Sequence, residues 1–331
     1  MNLERVVDDS VWGLETLADW LGRSLYISQL KAAGKSVNRI RLIRAMTAAE
    51  LIVEMSDKNI LEIIKGHVYY DNGTIIMPVS QGLAREKEYD IQVSLYNAIN
   101  ESDVRLEIIE KDRSYHSLIN QWNFRMKKNV GDIENIFFQG ANNFAVALGI
   151  QINQDHYLPF AYEDKTLFLD WTRGEQTGIV AESIFSKNKI KKCFIYGGCG
   201  LLEKEAQINE IFIPSSVALE GESESITFQN LLKSYANSGK QDKIYYGKML
   251  NVHSPHTETK GQLLTALSEG FMGVEMELYG LVNAIKQNGT GIELGAIYYG
   301  SDIPLKSNEV RLNNHMKKAI IDSILVYKKT N

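Results

Sequence analysis

The chain has 331 residues, of which 44% are apolar and 23% are charged. At roughly 150 residues per domain, this length leaves room for about two domains with ordinary cores. With 36 Lys and Arg residues against 41 Asp and Glu residues the net charge is −5, so no global positive field attracts nucleic acid or an anionic membrane. We therefore expect neither a nucleic-acid partner nor a membrane partner.

The N-terminal residues and the cysteines bear on localisation and on metals. Acidic residues stand where a signal peptide needs a basic start, and no window approaches the ~20 apolar residues of a membrane span. Cys193 and Cys199 are too few, and too far from any pair of histidines, to form a zinc site or a disulfide framework. These features predict a cytoplasmic protein that holds no metal.

The first part of the chain reads as mainly helical. Apolar residues recur at three- and four-residue intervals over residues 5–30, and the pattern continues over 40–64 with a break that predicts two further helices. Residues 67–77 form two β-prone runs around an Asn-Gly pair, which predicts a hairpin. We expect residues 1–128 to form a mainly helical N-terminal region with a β-hairpin and no recognisable chemical motif, and residues 129–331 to form a second domain.

From Asn135 onward, short apolar runs alternate with helical patterns. The predicted strands are 136–138, 167–169, 193–196, 210–214 and 294–299, and the predicted helices are 141–148, 176–186, 262–268, 277–287 and 313–327. Strands that alternate with helices of this length predict an α/β sheet covered on both faces. In such sheets the ligand lies beyond the carboxyl ends of the strands.

A glycine cluster, Gly197-Gly198-Cys199-Gly200, directly follows the apolar strand 193–196. Glycines at such a place let the backbone turn sharply and approach a ligand with bare N–H groups. A plain structural turn is the alternative. The cluster lacks the order of a dinucleotide-binding fingerprint, and no helix-opening pattern follows it.

Two further segments carry acids at the end of a strand or the start of a helix. Glu275 and Glu277 stand two residues apart before an apolar helix, where carboxylates can accept hydrogen bonds from the vicinal hydroxyls of a sugar or can complement the helix dipole. Ser301 and Asp302 end an apolar strand, where an aspartate can act as a general acid or can cap a turn.

Taken in chain order, these segments resemble the nucleoside phosphorylase/nucleosidase superfamily, and most of all the bacterial hexameric purine nucleoside phosphorylases. The likeness covers residues 166–331, and its most specific part is the string Gly273-Val-Glu-Met-Glu-Leu-Tyr-Gly280. Residues 172–182, 194–202 and 208–221 resemble further segments of the family. The resemblance implies a mixed central sheet with helices on both faces, and an assembly of several identical subunits.

The resemblance also assigns roles to individual residues. It implies that Glu277 binds the ribose 2′- and 3′-hydroxyls, that Met276 packs on the sugar, and that Asp302 protonates N7 of a purine leaving group. His256 or Pro255 lies where the family often has a base-stacking aromatic residue, although His256 can equally be a solvated loop histidine. The remaining residues that it places at the substrate are Glu275, Gly198, Cys199 and Ser301.

The chain departs from the family at the phosphate site. Ile195 and Phe144 stand where phosphorylases have arginines, and Gly198 stands where they have a hydroxyl residue. Without two guanidinium groups there is no bidentate clamp for an anion, so water is the expected acceptor. Arg173 can contact a phosphate on the substrate or can be a solvated turn residue.

The sequence alone does not identify the residue that would activate water. Family hydrolases place a glutamate after their first strand, and this chain has Ala141-Asn142-Asn143 there. Glu163, Glu175 or a residue of the N-terminal region are the candidates.

We therefore expect an enzyme that cleaves the N-glycosidic bond of a purine nucleoside or nucleotide, as an N-ribosyl hydrolase or phosphorylase without a cofactor, and more by water than by phosphate. One alternative is a regulatory module that binds a nucleoside or nucleotide without cleaving it. Another is a phosphoribosyltransferase, because residues 167–178 loosely resemble a pyrophosphate-binding loop. That loop needs paired acids, and here Asp170 is followed by Trp171.

Overall fold

The structure is a computed structural model that describes residues 21–56, 62–65, 68–79, 83–111, 114–155, 157–170, 172–203, 205–233, 244–253, 255, 258–288 and 291–306. Contacts divide the chain into two compact units, Met1–Trp122 with His253–Thr259 and Asn123–Val252 with Lys260–Asn331. The first helix and the last helix predicted from the sequence lie largely or wholly outside the described residues.

The first unit contains a five-stranded sheet with the strand order β2-β3-β4-β1-β5. The central strand β1 runs parallel to both β4 and β5. The elements are β1 (Arg39–Arg44), β2 (Glu62–Lys65), β3 (Val68–Asp71), β4 (Thr74–Val79), β5 (Arg105–Ile109), and the helices α1 (Ile27–Ala32), α2 (Ala48–Ser56) and α3 (Leu83–Asn100). Helix α4 (Tyr115–Lys127) begins in this unit and ends in the second.

This sheet corrects the prediction of two helices over residues 40–64, where the structure has β1, α2 and β2. Ile40, Leu42 and Ile43 are buried in β1, although their spacing also fits the face of a helix. Residues 39–42 alternate between arginine and a buried apolar residue, as a strand does, but so short a run does not separate the period of a strand from that of a helix. The predicted hairpin is present as β3 and β4, with Asn72 and Gly73 at φ angles of 44° and 83° in its turn.

The second unit contains a ten-stranded sheet with the order β12-β11-β13-β14-β10-β6-β9-β8-β7, and β15 pairs with both β10 and β11. Its strands are β6 (Asn135–Phe138), β7 (Ile152–Asn153), β8 (Phe160–Glu163), β9 (Thr166–Leu169), β10 (Lys192–Leu201), β11 (Ile211–Leu219), β12 (Ile226–Thr227), β13 (Ile244–Asn251), β14 (Phe271–Glu275) and β15 (Glu293–Asp302). Its helices are α5 (Ala141–Leu148), α6 (Glu175–Phe185), α7 (Lys260–Ser268) and α8 (Leu278–Asn288). The mixed α/β class agrees with the prediction.

Five of these strands close into a ring. Strand β10 pairs with β14, β14 with β13, β13 with β11, β11 with β15, and β15 again with β10. The other strands, β6, β9, β8 and β7, extend from β10 as an open sheet. Strand β10 therefore belongs to both the ring and the open sheet.

The glycine cluster of β10 is not the turn that the sequence predicts. The strand continues through it to Leu201 and stays paired with β15. A Cβ atom on Gly200 would lie 2.8 Å from side-chain atoms of Val274 and Pro304, and a Cβ atom on Gly198 would lie 3.0 Å from Cβ of Ser301. Glycine is needed here because neighbouring segments approach the strand closely, not because the backbone reverses.

An aromatic cluster fills the core beside β10. The rings of Phe137 and Phe194 stack with centroids 4.5 Å apart, and Phe144 meets Tyr196 edge-on at 5.3 Å. Ile195 and Phe144 are each only 1% exposed. Both residues that replace the family's arginines therefore belong to the packed core.

Candidate active site

One edge of β10 is open near its carboxyl end. On one side β15 follows the strand from Lys192 to Gly200, but on the other side β6 pairs only as far as Ile195, and β14 begins at Gly200. Neither of these two strands pairs with Tyr196–Cys199 on that side. We call this stretch the open window. It lies at a gap between the carboxyl ends of β6 and β14, which is where α/β sheets bind ligands.

Glu275 ends β14 beside the open window, and its carboxylate serves the start of α8. One carboxylate oxygen accepts the backbone N–H of Glu277 at 2.6 Å, and both oxygens lie within 3.1 Å of the N–H of Leu278. Burial raises the pKa of Glu275 well above its usual range, and the neighbouring charge of Glu277 raises it further. This geometry favours the helix-start role for Glu275.

Glu277 lies where two helices begin. Its Oε1 atom accepts a hydrogen bond of 3.3 Å from the backbone N–H of Gly174, which precedes α6. Burial raises the pKa of Glu277, whereas the Gly174 N–H and the Arg173 guanidinium lower it. With Arg173 nearby and the N-termini of two helices beside it, Glu277 is better suited than Glu275 to be the ionised member of the pair.

A glycine contact sets the positions of these two helix starts. A Cβ atom added to Gly178 of α6 would lie 3.0 Å from the carbonyl oxygen of Gly280 in α8. The two backbones can approach this closely only because neither residue has a side chain. The contact holds the Gly174 N–H against Glu277, although the two residues are far apart in sequence.

Asp302 ends β15 on the other side of β10. It pairs with Gly200, which in turn pairs with Val274 of β14, so Asp302 and Val274 are two strand spacings, or about 10 Å, apart. The Ser301 hydroxyl donates a hydrogen bond of 2.6 Å to Oδ1 of Asp302. Burial raises the pKa of Asp302, and the Ser301 hydroxyl opposes this rise. A carboxyl group with a raised pKa retains a proton that it can donate.

The floor between these carboxylates is neutral. The Cys199 thiol is 2% exposed, and burial raises its pKa well above the usual range, with the charges of Asp302 and Glu275 adding to the effect. Burial likewise raises the pKa of Tyr298, whose hydroxyl lies 3.5 Å from Glu275. The buried thiol does not reach the surface of the gap, so the predicted substrate contact of Cys199 is left to its backbone.

The structure brings most of the predicted site residues to this end of β10. Met276 is half-buried between Glu275 and Glu277, Gly198 lies in the open window, and Ser301 orients Asp302. Arg173 is exposed and acts on Glu277 through its charge. His256 lies outside the described residues.

The candidates for activating water are not equally placed. Glu163 pairs with Thr166 at the amino end of β9, so it lies at the sheet edge opposite to the open window. Glu175 is exposed in the first turn of α6. The structure adds two residues that the sequence did not single out, Gly174 and Gln139. Gly174 lies in a segment that resembles the family, but a glutamine after a strand has no sequence signal.

The described residues contain no group of three or more His, Cys, Asp or Glu side chains that could hold a metal ion. Among the helices that the structure describes, none combines the length and the apolar character needed to cross a membrane.

Comparison with known proteins gives matches in structure and none in sequence. No family model matches the chain, and no curated protein does. Uridine phosphorylase from Schistosoma mansoni, solved with thymidine, matches with a TM-score of 0.51 at 14% identity, over 64% of this chain and 91% of that one.

Two nucleosidases were also found. AMP nucleosidase from Bacteroides thetaiotaomicron has a TM-score of 0.49 at 16% identity, over 65% of this chain and 98% of that one. The 5′-methylthioadenosine/S-adenosyl homocysteine nucleosidase from Campylobacter jejuni has a TM-score of 0.48 at 12% identity, over 61% of this chain and 100% of that one. At such identities a structural match establishes the fold alone, and the match to uridine phosphorylase carries it. The matched part of the chain has the same fold as this uridine phosphorylase, and that is the fold that the sequence motifs predict.

Proposed function

We propose that the protein cleaves the N-glycosidic bond of a purine nucleoside or nucleotide, with water as the acceptor of the ribosyl group. The observation that carries this proposal is the pairing of Glu277 and Asp302 on opposite sides of the carboxyl end of β10. Burial raises the pKa of both carboxyl groups, and at Glu277 the Gly174 N–H and the Arg173 guanidinium oppose that rise. We assign the ionised form to Glu277 and the protonated form to Asp302, which is the combination that glycosidic cleavage requires.

Each carboxyl group meets one end of the bond that breaks. As the bond from C1′ to the base nitrogen lengthens, the sugar gains positive charge and the base gains negative charge. Glu277, in its ionised form, accepts hydrogen bonds from the ribose hydroxyls and orients the sugar. Asp302, in its protonated form, donates a proton to the purine base, which then leaves as a neutral molecule.

Water is favoured over phosphate because we find no clamp for an anion in the described part of the second unit. Ile195 and Phe144 are in the core, and the two arginines in the described part of this unit are Arg125 and Arg173. Arg125 makes two hydrogen bonds to Asp155, at 2.8 and 2.9 Å. In this part of the chain Arg173 is then the one arginine left, which is too few for a clamp of two guanidinium groups, and we propose that it contacts a phosphate on a nucleotide substrate.

A product assay tests the proposal. The protein is incubated with adenosine, inosine, uridine, their 5′-monophosphates and methylthioadenosine, with and without inorganic phosphate, and free base and ribose products are quantified. We expect purine release that does not require phosphate. Strict dependence on phosphate, with ribose 1-phosphate as product, would show that the acceptor is wrong. Binding of a nucleoside in calorimetry without release of base would identify the protein as a binding module instead.

The assembly is a second part of the proposal. We propose a homo-oligomer, because the family resemblance implies one. Sedimentation at micromolar concentration tests this, and a monomer under those conditions would refute it.

A further inference from the structure

Gln139 follows β6 at the edge of the open window and carries a buried oxygen that lacks a donor. The residue is 3% exposed, and its amide nitrogen donates a hydrogen bond of 2.7 Å to the carbonyl oxygen of Thr172. Only the nitrogen can donate, so the side-chain oxygen Oε1 is the atom left over. No described residue gives Oε1 a hydrogen bond. Buried acceptors in folded proteins nearly always have a donor, so this oxygen is a candidate for a hydrogen bond from a bound molecule.

Gln139 also has a strained backbone. Its φ angle is 73°, in the left-handed region that glycine favours and that other residues seldom adopt. The next residue, Gly140, has a φ angle of 88° and begins α5. Strain of this kind persists where the surrounding structure requires a particular direction of the side chain. Here it turns the Gln139 amide toward Thr172 instead of along the strand.

The loop that Gln139 holds is the loop that holds Glu277. The carbonyl oxygen of Thr172 accepts a hydrogen bond from the Gln139 amide. Two residues later in the chain, the Gly174 N–H donates a hydrogen bond to the Glu277 carboxylate. The hydroxyls of Thr172 and Thr177 lie 2.7 Å apart and fix the loop to the first turns of α6. From ordinary amide dimensions, the Gln139 Oε1 atom lies within about 5 Å of the Thr172 carbonyl oxygen. The loop thus spans the gap from the end of β6 to the end of β14.

The groups around Gln139 are suited to water and unsuited to an anion. Asn143 donates a hydrogen bond of 3.2 Å to the Tyr196 hydroxyl, and that hydroxyl lies where a Cβ atom of Gly140 would be. Burial raises the pKa of Tyr196 to about 12, so the phenol is neutral. Two amides, a phenol and two threonine hydroxyls offer donors and acceptors without positive charge, which is what a bound water molecule needs.

We propose that the Gln139 Oε1 atom binds and orients the water molecule that attacks C1′ of the ribose. This inference rests on the proposed function and names the residue that replaces the missing glutamate of the family's hydrolases. A neutral amide does not take a proton, so its contribution is position alone. It accepts one hydrogen of the water and leaves the oxygen lone pair free for the carbon.

The reaction balances without a further base. The bond from C1′ to the base nitrogen breaks with its electron pair on the base, which receives the proton of Asp302. The water oxygen forms the new bond to C1′, and the proton that it then loses returns to Asp302. Water is thus divided between the two products, as hydrogen on the base and hydroxyl on the sugar.

The test compares two buried side-chain amides that lie at different places in the fold and make similar hydrogen bonds. Asn123 is fully buried, its nitrogen donates to the Ser183 carbonyl oxygen and hydroxyl at 2.8 and 2.9 Å, and its oxygen also lacks a described donor. Gln139→Met and Asn123→Leu each remove such an amide with little change of shape. Met also keeps the side-chain length at the strained backbone position. Folding of both variants is checked by thermal melting.

The readout is the choice of nucleophile in water–methanol mixtures, measured as the ratio of methyl riboside to ribose. We expect wild-type protein to favour water strongly. In Gln139→Met the ratio of methyl riboside to ribose should rise toward the methanol-to-water ratio of the solvent. The kcat value should fall about 10²-fold, because a misplaced nucleophile lowers the rate by about that factor. In Asn123→Leu both should stay at the wild-type values.

Each other outcome overturns the inference in a recognisable way. If Gln139→Met raises KM with an unchanged product ratio, Oε1 binds a substrate hydroxyl and not the attacking water. If Asn123→Leu shifts the ratio as much as Gln139→Met, the effect is a general loss of packing. Wild-type protein that releases no base from any substrate refutes the proposed function itself, and the role of Gln139 with it.

Discussion

Asp302→Asn tests the general acid with little change of shape. In the structure the Ser301 hydroxyl donates a hydrogen bond of 2.6 Å to Oδ1 of Asp302. An asparagine side-chain oxygen can accept the same hydrogen bond, so we expect the side chain to keep its direction. The amide can still donate a hydrogen bond to a base nitrogen, but it cannot give up a proton. We expect kcat to fall by about 10²–10⁴-fold, which is about 3–5 kcal/mol of transition-state stabilisation, with KM nearly unchanged.

Ser301→Ala is the companion variant. The Ser301 hydroxyl lowers the pKa of Asp302 by stabilising its ionised form, so its removal should raise that pKa. Activity that needs protonated Asp302 is lost as pH rises through this pKa, and the alkaline limb of the pH–rate profile should therefore move upward. Initial rates of base release at saturating and limiting substrate measure both effects. Full activity in Asp302→Asn, or an alkaline limb that does not move in Ser301→Ala, would refute the reasoning.

Three further predictions concern the residues around Glu277. Glu277→Gln replaces a charged acceptor of the ribose hydrogen bonds with a neutral one, so kcat/KM should fall about 10–100-fold. Steady-state kinetics should show a smaller loss on a 2′-deoxynucleoside, and an equal loss on both substrates would contradict the contact between Glu277 and the 2′-hydroxyl. Burial raises the folded-state pKa of Glu275 above its unfolded value, so the folded protein loses stability as pH rises from about 4.3 toward the raised pKa. Glu275→Gln should flatten the dependence of Tm on pH in that window, and a slope like that of the wild type would count against this role of Glu275. Gly178→Ala should destabilise the protein by about 1–3 kcal/mol in urea denaturation, because the new methyl group would meet the Gly280 carbonyl oxygen at 3.0 Å; a gain in stability, which an alanine brings to an ordinary helix, would show that the helices can separate without cost.

The candidate site could be predicted where its chemistry lies within a short segment. Glu275, Met276 and Glu277 are adjacent in the chain, and so are Ser301 and Asp302, so both strings were visible in the sequence and both end strands in the structure. The sequence did not show which function each of the two glutamates has. That Glu275 caps α8 while Glu277 accepts from Gly174 depends on hydrogen bonds in three dimensions.

Other features depend on distant packing and leave no local signal. The glycines of β10 suggest a turn because glycine is a turn residue, but they are required by Val274, Ser301 and Pro304, which come from remote parts of the chain. Gln139 carries no motif, since its importance lies in one buried oxygen and a backbone angle. In the first unit, β1 was mistaken for a helix because six residues are too few to separate the period of a strand from the three- and four-residue spacing of a helix.

The closed ring of strands has a consequence for the order in which the protein can be made. Strand β15 completes the ring by pairing with both β10 and β11, which leave the ribosome well before it. Until β15 arrives, one edge of each of these strands lacks that partner, and such edges are where nascent chains associate wrongly. The sheet of the first unit, by contrast, has all its strands once residue 109 has been made. The first sheet can therefore assemble while the second unit is still being translated, whereas the unit that carries the carboxylates gains its shape only once residue 302 has been made.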